Sequence, residues 1–204
     1  MRTAAADVGL SIVVPVYNEG RGLQAFHDRL CDVARALRQK RGLATEVVYV
    51  DDGSRDDSLA VAQALPAEAL DVQVISLSRN FGKEAAMTAG LEAAQGDAVI
   101  LMDADGQHPV DLLPQMLSHW QQGLDVIYAV RRHRQDQSAL HGWLTNRFYQ
   151  LINWGNRVQI PPHAGDFRLM DRRVVEALKA LPERNRFMKG LYAWVGYPSL
   201  ALDY

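Results

Sequence analysis

Two aspartates one residue apart, Asp103 and Asp105, follow the apolar run Ala98-Val99-Ile100-Leu101-Met102 and precede Gly106-Gln107-His108-Pro109. In extended chain, residues at i and i+2 point to the same side. Two like charges held there repel unless a cation lies between them, and a divalent ion that also holds a phosphate is the natural occupant. Asp-x-Asp is common by chance. Its weight here comes from its place at the end of an uncharged strand with a polar turn after it. No Cys/His cluster argues for zinc, and hard oxygen donors favour Mg²⁺ or Mn²⁺. Gln107 could add an amide oxygen or bind the ligand. Asp52 stands at the end of a second β-branched run, where it can accept from a base N–H or a ribose hydroxyl. The competing reading for Asp52 and its neighbour Asp51 is a turn or helix cap, since Asp-Gly-Ser is a common turn.

Alternating strand and helix patterns must position these groups. Strands are expected over 10–17, 46–50, 72–77, 98–102 and 125–130, and helices over 22–38, 83–94 and 110–121. Ser54 or Asp56 can cap a further short helix running towards Leu65. Such alternation gives right-handed βαβ crossovers and an α/β fold with a mostly parallel sheet flanked by helices. Ligands of such sheets lie at the carboxyl ends of the strands. There the sequence gathers Tyr17-Asn18-Glu19, Asp51-Asp52-Gly53-Ser54, Ser78-Arg79-Asn80, Asp103-Ala104-Asp105 and Arg131-Arg132. Further on, 131–137 reads as a basic loop, 143–154 as an amphipathic helix, 161–165 as a break, 166–170 as another strand and 172–181 as a helix. The basic stretch 183–190 and an aromatic, apolar end follow.

Composition excludes several classes. With 204 residues, 48% hydrophobic and 23% charged, the chain suits one sizeable globular domain. A formal net charge of -2 argues against a strongly basic nucleic-acid-binding protein. The single cysteine, Cys31, cannot form an internal disulfide and reads as a small semi-buried helix residue. No secretory signal and no ~20-residue apolar span stand out, so the chain is expected to be soluble or peripheral. There is no G-x-G-x-x-G after the first strand and no P-loop, which disfavours a nicotinamide-dependent oxidoreductase. His108, opening a helix before Pro109, reads as structural rather than catalytic. His27, His119, His133 and His141 read as chemically idle.

The ordered set Pro15-Val16-Tyr17-Asn18-Glu19, Asp51-Asp52-Gly53-Ser54-x-Asp56 and Asp103-Ala104-Asp105-x-Gln107-His108-Pro109 resembles family 2 glycosyltransferases of the GT-A fold. More narrowly it resembles the polyprenyl-phosphate glycosyltransferases, the dolichol-phosphate mannose synthase group and its bacterial relatives. Arg79-Asn80-Phe81-Gly82-Lys83, Asn146-Arg147-Phe148, Gly165-Asp166-Phe167-Arg168-Leu169-Met170, 183–190 and Trp194-Val195-Gly196-Tyr197 extend the likeness over nearly the whole chain. The resemblance implies a nucleotide-sugar donor, UDP-sugar favoured and GDP-mannose next. Pro15, Tyr17, Glu19 and Asp52 would hold the nucleoside. Asp103 and Asp105, with Ala104 and Gln107 beside them, would hold Mg²⁺ or Mn²⁺ and the diphosphate. Arg131 and Arg147 match positions that meet donor or acceptor phosphates, and Arg168 and Lys189 are weaker candidates for the same work. The implied acceptor is a polyprenyl phosphate at the cytoplasmic face of the bacterial inner membrane. A homo-oligomeric state stays open. The implied division is a nucleotide-binding part over about 8–130 and an acceptor-side part over about 131–204.

Gly106 and Val110 replace a leucine and a proline common in this subgroup, without touching a ligand. Members of the group continue beyond the position of Tyr204 into amphipathic and, in bacterial forms, membrane-spanning segments, so a piece of a membrane enzyme is expected. Trp143, Phe148, Tyr149, Ile152 and Trp154 read either as a core helix or as a face lying on the membrane. Two other functions stand open: a family 2 transferase acting on a saccharide or protein hydroxyl, and a non-catalytic nucleotide-sugar binding domain.

Overall fold

The computed structural model describes residues 9–131, 165–183 and 186–204. Strands β1 (Leu10–Val16), β2 (Thr45–Asp51), β3 (Asp71–Ser76), β4 (Ala98–Leu101) and β5 (Val126–Val130) alternate with helices α1 (Gly20–Arg41), α2 (Ser58–Ala64), α3 (Lys83–Ala93) and α4 (Leu113–Gln121). A 3-10 turn, Val110–Leu112, leads into α4. Then come β6 (Arg168–Asp171), α5 (Arg172–Lys179), α6 (Met188–Trp194) and β7 (Ser199–Asp203). These match the expected elements to within a few residues. The exception is the aromatic end, which supplies α6 and an edge strand that the sequence pattern did not separate. Of the expected loop 131–137 only Arg131 is described, and the helix over 143–154 with its aromatic face, Arg147, His133 and His141 lie outside the described residues.

The strands form one seven-stranded sheet in the order β3-β2-β1-β4-β6-β5-β7. β1 pairs in parallel with β2 and β4, β2 with β3, and β5 with β7. Only β6 is reversed, lying antiparallel between β4 and β5. Its first residue, Arg168, therefore sits opposite Leu101 and Tyr128, near the carboxyl ends of the neighbouring strands.

Side chains alternate across the sheet. Leu10, Ile12, Val14 and Val16 of β1 enter one core with Leu23, Phe26, Leu30 and Leu37 of α1 and Leu113, Met116 and Leu117 of α4. Val13, Val48, Val50 and Val99 face the other core, against Met87 and Leu91 of α3, Val174, Val175 and Leu178 of α5, and Met188 of α6. Both faces being covered, the strand interiors carry few charges, and polar chemistry is left to the strand ends. Cys31 is buried and free. His27 is buried too. Its Nε2 lies 2.9 Å from the Pro66 carbonyl and its Nδ1 3.0 Å from the Tyr49 hydroxyl, so both ring nitrogens are engaged in the core.

Candidate active site

The loops after β1 and β2 are laced together by the polar residues of Asp51-Asp52-Gly53-Ser54-x-Asp56. The Asn18 amide donates to Ser54 Oγ at 3.0 Å, and Arg55 N–H donates back to Asn18 Oδ1 at 2.9 Å. Glu19 N–H donates to Ser58 Oγ at 2.8 Å, and Gly20 N–H to Asp56 Oδ2 at 3.3 Å. Asn18 adopts φ 57, a left-handed conformation that asparagine tolerates. α2 starts at Ser58, with Asp57 at the cap position and the Asp56 carboxylate taking the Ser58 N–H at 3.0 Å. Asp51, 2% exposed, turns back onto the Ser54 amide and closes the turn.

Asp52 does something the sequence did not suggest. Only 3% exposed, it accepts the N–H of Phe81 at 2.8 Å and of Gly82 at 2.9 Å. It thereby clamps the 79–82 loop to the end of β2. Next to it, Gly53 sits at φ +67, and a Cβ there would stand 2.4 Å from the carbonyl carbon of Arg79. Backbone can approach this closely only because glycine has no side chain. Asp52 still lines the cleft, and each carboxylate oxygen has a second lone pair for a ligand.

A cavity of about 310 Å³ opens between these loops. That is the low end for small-molecule sites, so it suits part of an extended ligand rather than all of one. Its walls are Pro15, Val16, Tyr17, Glu19, Asp52, Asn80, Gly82, Lys83, Asp103, Ala104 and Asp105. Seven sequence candidates thus meet in one place: Pro15, Tyr17, Glu19, Asp52, Asp103, Ala104 and Asp105. Tyr17, 40% exposed, offers a ring face at the mouth. Gln107 and Arg131 stand beside this wall. The Gln107 amide caps Asp105 Oδ1 at 2.9 Å, and Arg131 Nη1 reaches Gln107 Oε1 at 3.4 Å.

Two other candidates lie elsewhere. Arg168 is 3% exposed, stacked 3.4 Å from the centre of the Tyr192 ring and donating to the Gly165 carbonyl at 2.7 Å. It stands on an interior strand of a sheet covered on both faces, so its side chain is buried. Lys189 is half-buried on α6, near enough for its charge to favour the ionised form of Asp166.

His108 is a supporting group. Its ring stacks on Phe167 with centroids 4.9 Å apart, and its Nδ1 accepts the Asp103 N–H at 3.0 Å. A backbone amide can only donate, so Nδ1 carries no proton and the hydrogen of the neutral ring is on Nε2. Burial, the largest influence, pulls the His108 pKa below its usual value although Asp103 and Asp105 push the other way.

The cleft is built for positive charge. Glu19, Asp52, Asp103 and Asp105 face one ammonium, Lys83, on the described wall. Burial, then the charges of Asp105 and Asp103, hold the Glu19 carboxyl above its usual pKa. Lys83 Nζ already occupies the position of a cation, 2.7 Å from Asp103 Oδ1. It also bonds Asp166 Oδ2 at 2.9 Å. Burial disfavours this ammonium, but its bonds to Asp103 and Asp166 more than offset that and raise its pKa. Hard carboxylate oxygens under such a field suit a magnesium- or manganese-like ion. Among the described residues no group of three or more His, Cys, Asp or Glu converges, so such an ion would complete its shell from ligand and water. Sequence reasoning singled out neither Lys83 nor Asp166. A signal for Lys83 was available: it opens a helix, where the macrodipole disfavours a cation.

A seven-stranded, mostly parallel sheet with a carboxylate-lined cleft at its strand ends is the architecture of the GT-A glycosyltransferases. The model of glycosyl transferase family 2 matches residues 11–179, and the chain belongs to that family. It is 45% identical over 190 residues to an uncharacterized glycosyltransferase of Synechocystis sp., covering 93% of this chain and 58% of that protein. It is 40% identical over 195 residues to the bactoprenol glucosyl transferase of Shigella phage SfV, covering 96% and 62% respectively. The chain thus spans about three-fifths of the length of these curated relatives. Among solved structures, a mannosyltransferase from Pyrobaculum calidifontis in complex with GDP-Man and Mn²⁺ is similar at TM-score 0.65 and 21% identity, over 95% of this chain and 54% of that one. Glucosyl-3-phosphoglycerate synthase from Mycobacterium tuberculosis, with Mn²⁺, UDP-glucose and phosphoglyceric acid, is similar at TM-score 0.62 and 19% identity, over 97% and 70%. At such identities the likeness is one of fold.

Proposed function

We propose that this chain is the donor-binding catalytic domain of an enzyme that transfers a hexose from a nucleotide sugar to a polyprenyl phosphate, with inversion at the anomeric carbon. UDP-glucose or a similar UDP-sugar is the favoured donor and GDP-mannose the second. The observation that carries the reading is the convergence of Tyr17, Glu19, Asp52, Asp103 and Asp105 on one strand-end cleft. The name of the phage relative, a bactoprenol glucosyl transferase, supports the acceptor, and the Mn²⁺ bound in two GT-A structures supports the metal.

In this reading the exposed Tyr17 ring packs on the base and Asp52 accepts from the nucleoside while holding the 79–82 loop. Asp103 and Asp105 would hold Mg²⁺ or Mn²⁺, with Gln107 beside them, and such an ion would supply positive charge at the diphosphate. Arg131, steadied by Gln107, adds a second cation. An oxygen of the lipid phosphate attacks the anomeric carbon. The bond from that carbon to the diphosphate breaks, and its electrons leave with the nucleoside diphosphate. A phosphate monoester is largely ionised near neutral pH, its second pKa being ~6, so no side chain has to remove a proton. His108, neutral and bound to the Asp103 backbone, is not needed as a base. Residues 131–204 would meet the acceptor, with Arg147, Arg168 and Lys189 as phosphate candidates. Work at the cytoplasmic face of a bacterial inner membrane fits a lipid acceptor. No helix among the described residues is long and apolar enough to cross a membrane.

The test is transfer from labelled UDP-glucose and GDP-mannose to polyprenyl phosphate in detergent micelles, alongside calorimetry of donor binding with and without Mn²⁺. Labelled lipid of inverted configuration, lost in Asp105→Ala while the melting curve is unchanged, is the expected result. Activity surviving in Asp105→Ala would refute the site, a retained anomer would refute direct displacement, and donor binding without transfer would make the chain a binding module.

A further inference from the structure

Lys83 stands where nothing about its helix asks for it. It is the first residue of α3, where a cation meets the positive end of the macrodipole. Its ammonium is held by both oxygens of Asp103, at 2.7 and 2.9 Å, and by Asp166 Oδ2 at 2.9 Å. The contact with Asp103 Oδ2 has hydrogen-bond geometry, and the other two are close ion-pair contacts. Asp166 comes from a different part of the chain, the loop before β6, and only the reversal of that strand brings it to this edge of the sheet. The other oxygen of Asp166, Oδ1, is buried with no hydrogen-bond partner among the described residues. A buried carboxylate oxygen without a donor is costly, and here it lies on the carboxylate that already holds the ammonium.

We propose that Lys83 is a resident counter-ion for Asp103, exchanged onto Asp166 when a divalent cation takes its place. The inference rests on the reading that Asp103 and Asp105 take such a cation. A magnesium-sized ion binds carboxylate oxygen at ~2.1 Å. It cannot share both oxygens of Asp103 with an ammonium at the distances seen here without strong repulsion. The unpartnered Oδ1 of Asp166 is the vacant acceptor for the bonds Lys83 gives up. Moving a few ångströms, the ammonium trades its two contacts with Asp103 for a second contact with Asp166 and stays on the cleft wall. The exchange keeps the carboxylate pair from standing uncompensated in the empty protein, and it makes the cation compete for its own site.

Mn²⁺ titration of the chain without donor, followed by the electron paramagnetic resonance of the free ion, tests this. Lys83→Met removes the competitor and is expected to tighten Mn²⁺ on the order of fivefold, the scale of one part-exposed ion pair. Lys83→Arg keeps the competitor and stays near wild type. Asp166→Asn strands Lys83 on Asp103 and weakens Mn²⁺ severalfold, and this effect largely disappears when Lys83→Met is also present. A Lys83→Met protein that melts like wild type but binds Mn²⁺ no more tightly overturns the exchange. So does an Asp166→Asn effect of the same size in both backgrounds, which would mark a simple field effect. Should Lys83→Met fail to fold, Lys83→Gln carries the same expectation. If wild type and the Lys83 variants all fail to take up Mn²⁺, the exchange falls together with the metal reading of the cleft. Unchanged affinities in variants of a protein that does bind it remove the exchange alone.

Discussion

Replacing Asp52 with alanine separates two roles that one carboxylate plays. Its oxygens accept the amides of Phe81 and Gly82 at 2.8 and 2.9 Å, from a position 3% exposed. A hydrogen bond to a charged group contributes about 1.5–3 kcal/mol, so the pair amounts to about 3–6 kcal/mol before corrections. Two effects reduce it: the alanine no longer has a carboxylate to desolvate, and water can reach the freed amides beside Phe81, which is 49% exposed. A net loss of about 3 kcal/mol is expected. For a chain of this size that corresponds to a fall in Tm of about 6–12 °C. Urea unfolding followed by circular dichroism should show a lower midpoint with an unchanged slope. Asp52→Asn, which keeps one acceptor and turns its NH₂ towards an amide, should fall between the two. If Asp52→Ala loses less than about 1 kcal/mol while donor affinity collapses, the carboxylate is a ligand contact and the clamp argument is wrong.

Gly53→Ala should cost about 2 kcal/mol or more, from the left-handed φ of +67 and the collision with Arg79. Combined with Asp52→Ala it should be less than additive, since both act on one loop; full additivity in urea melts would contradict that. Burial pushes the Tyr49 phenol well above its usual pKa, so it remains a donor to His27. Tyr49→Phe should therefore lose about 1–2 kcal/mol and leave Mn²⁺ binding untouched, as calorimetry would check. Burial alone would raise the Asp166 pKa, but Lys83 reverses this and holds it below 3.8. A carboxylate depressed in the folded state stabilises above its unfolded pKa and loses that contribution as pH falls through the folded one. The stability gap between wild type and Asp166→Asn should thus be present near neutrality and close as pH drops below 3.8. A gap that is flat with pH in acid unfolding curves would refute the ion pair.

Much of the fold was legible because its signals are local. The uncharged runs of β1, β2 and β4 and the three-and-four spacing along α1 come from burial on both faces of a sheet and on one face of a helix. A seven-residue strand such as β1 buried between two cores has little choice of composition. β7 was missed because an edge strand with an alternating, half-exposed pattern carries a weaker signal. In the cleft, the rule that ligands gather at strand carboxyl ends found Tyr17, Glu19, Asp52, Asp103 and Asp105 from one dimension. It overlooked Lys83, three residues beyond the last one read after β3.

By itself the sequence determined the alternation of strands and helices, and which polar residues stand at the ends of the forward strands, because hydrophobic periodicity and turn chemistry act over a few neighbours. Only the tertiary structure decided the direction of β6, since the pairing of a strand depends on partners some seventy residues away in the chain. That direction put Asp166 on the functional edge and gave Lys83 its second carboxylate. Likewise, the clamp from Asp52 to Phe81 and Gly82 spans 29 and 30 residues. No local pattern encodes it, because only the parallel packing of β2 on β3 brings those backbones within hydrogen-bonding distance.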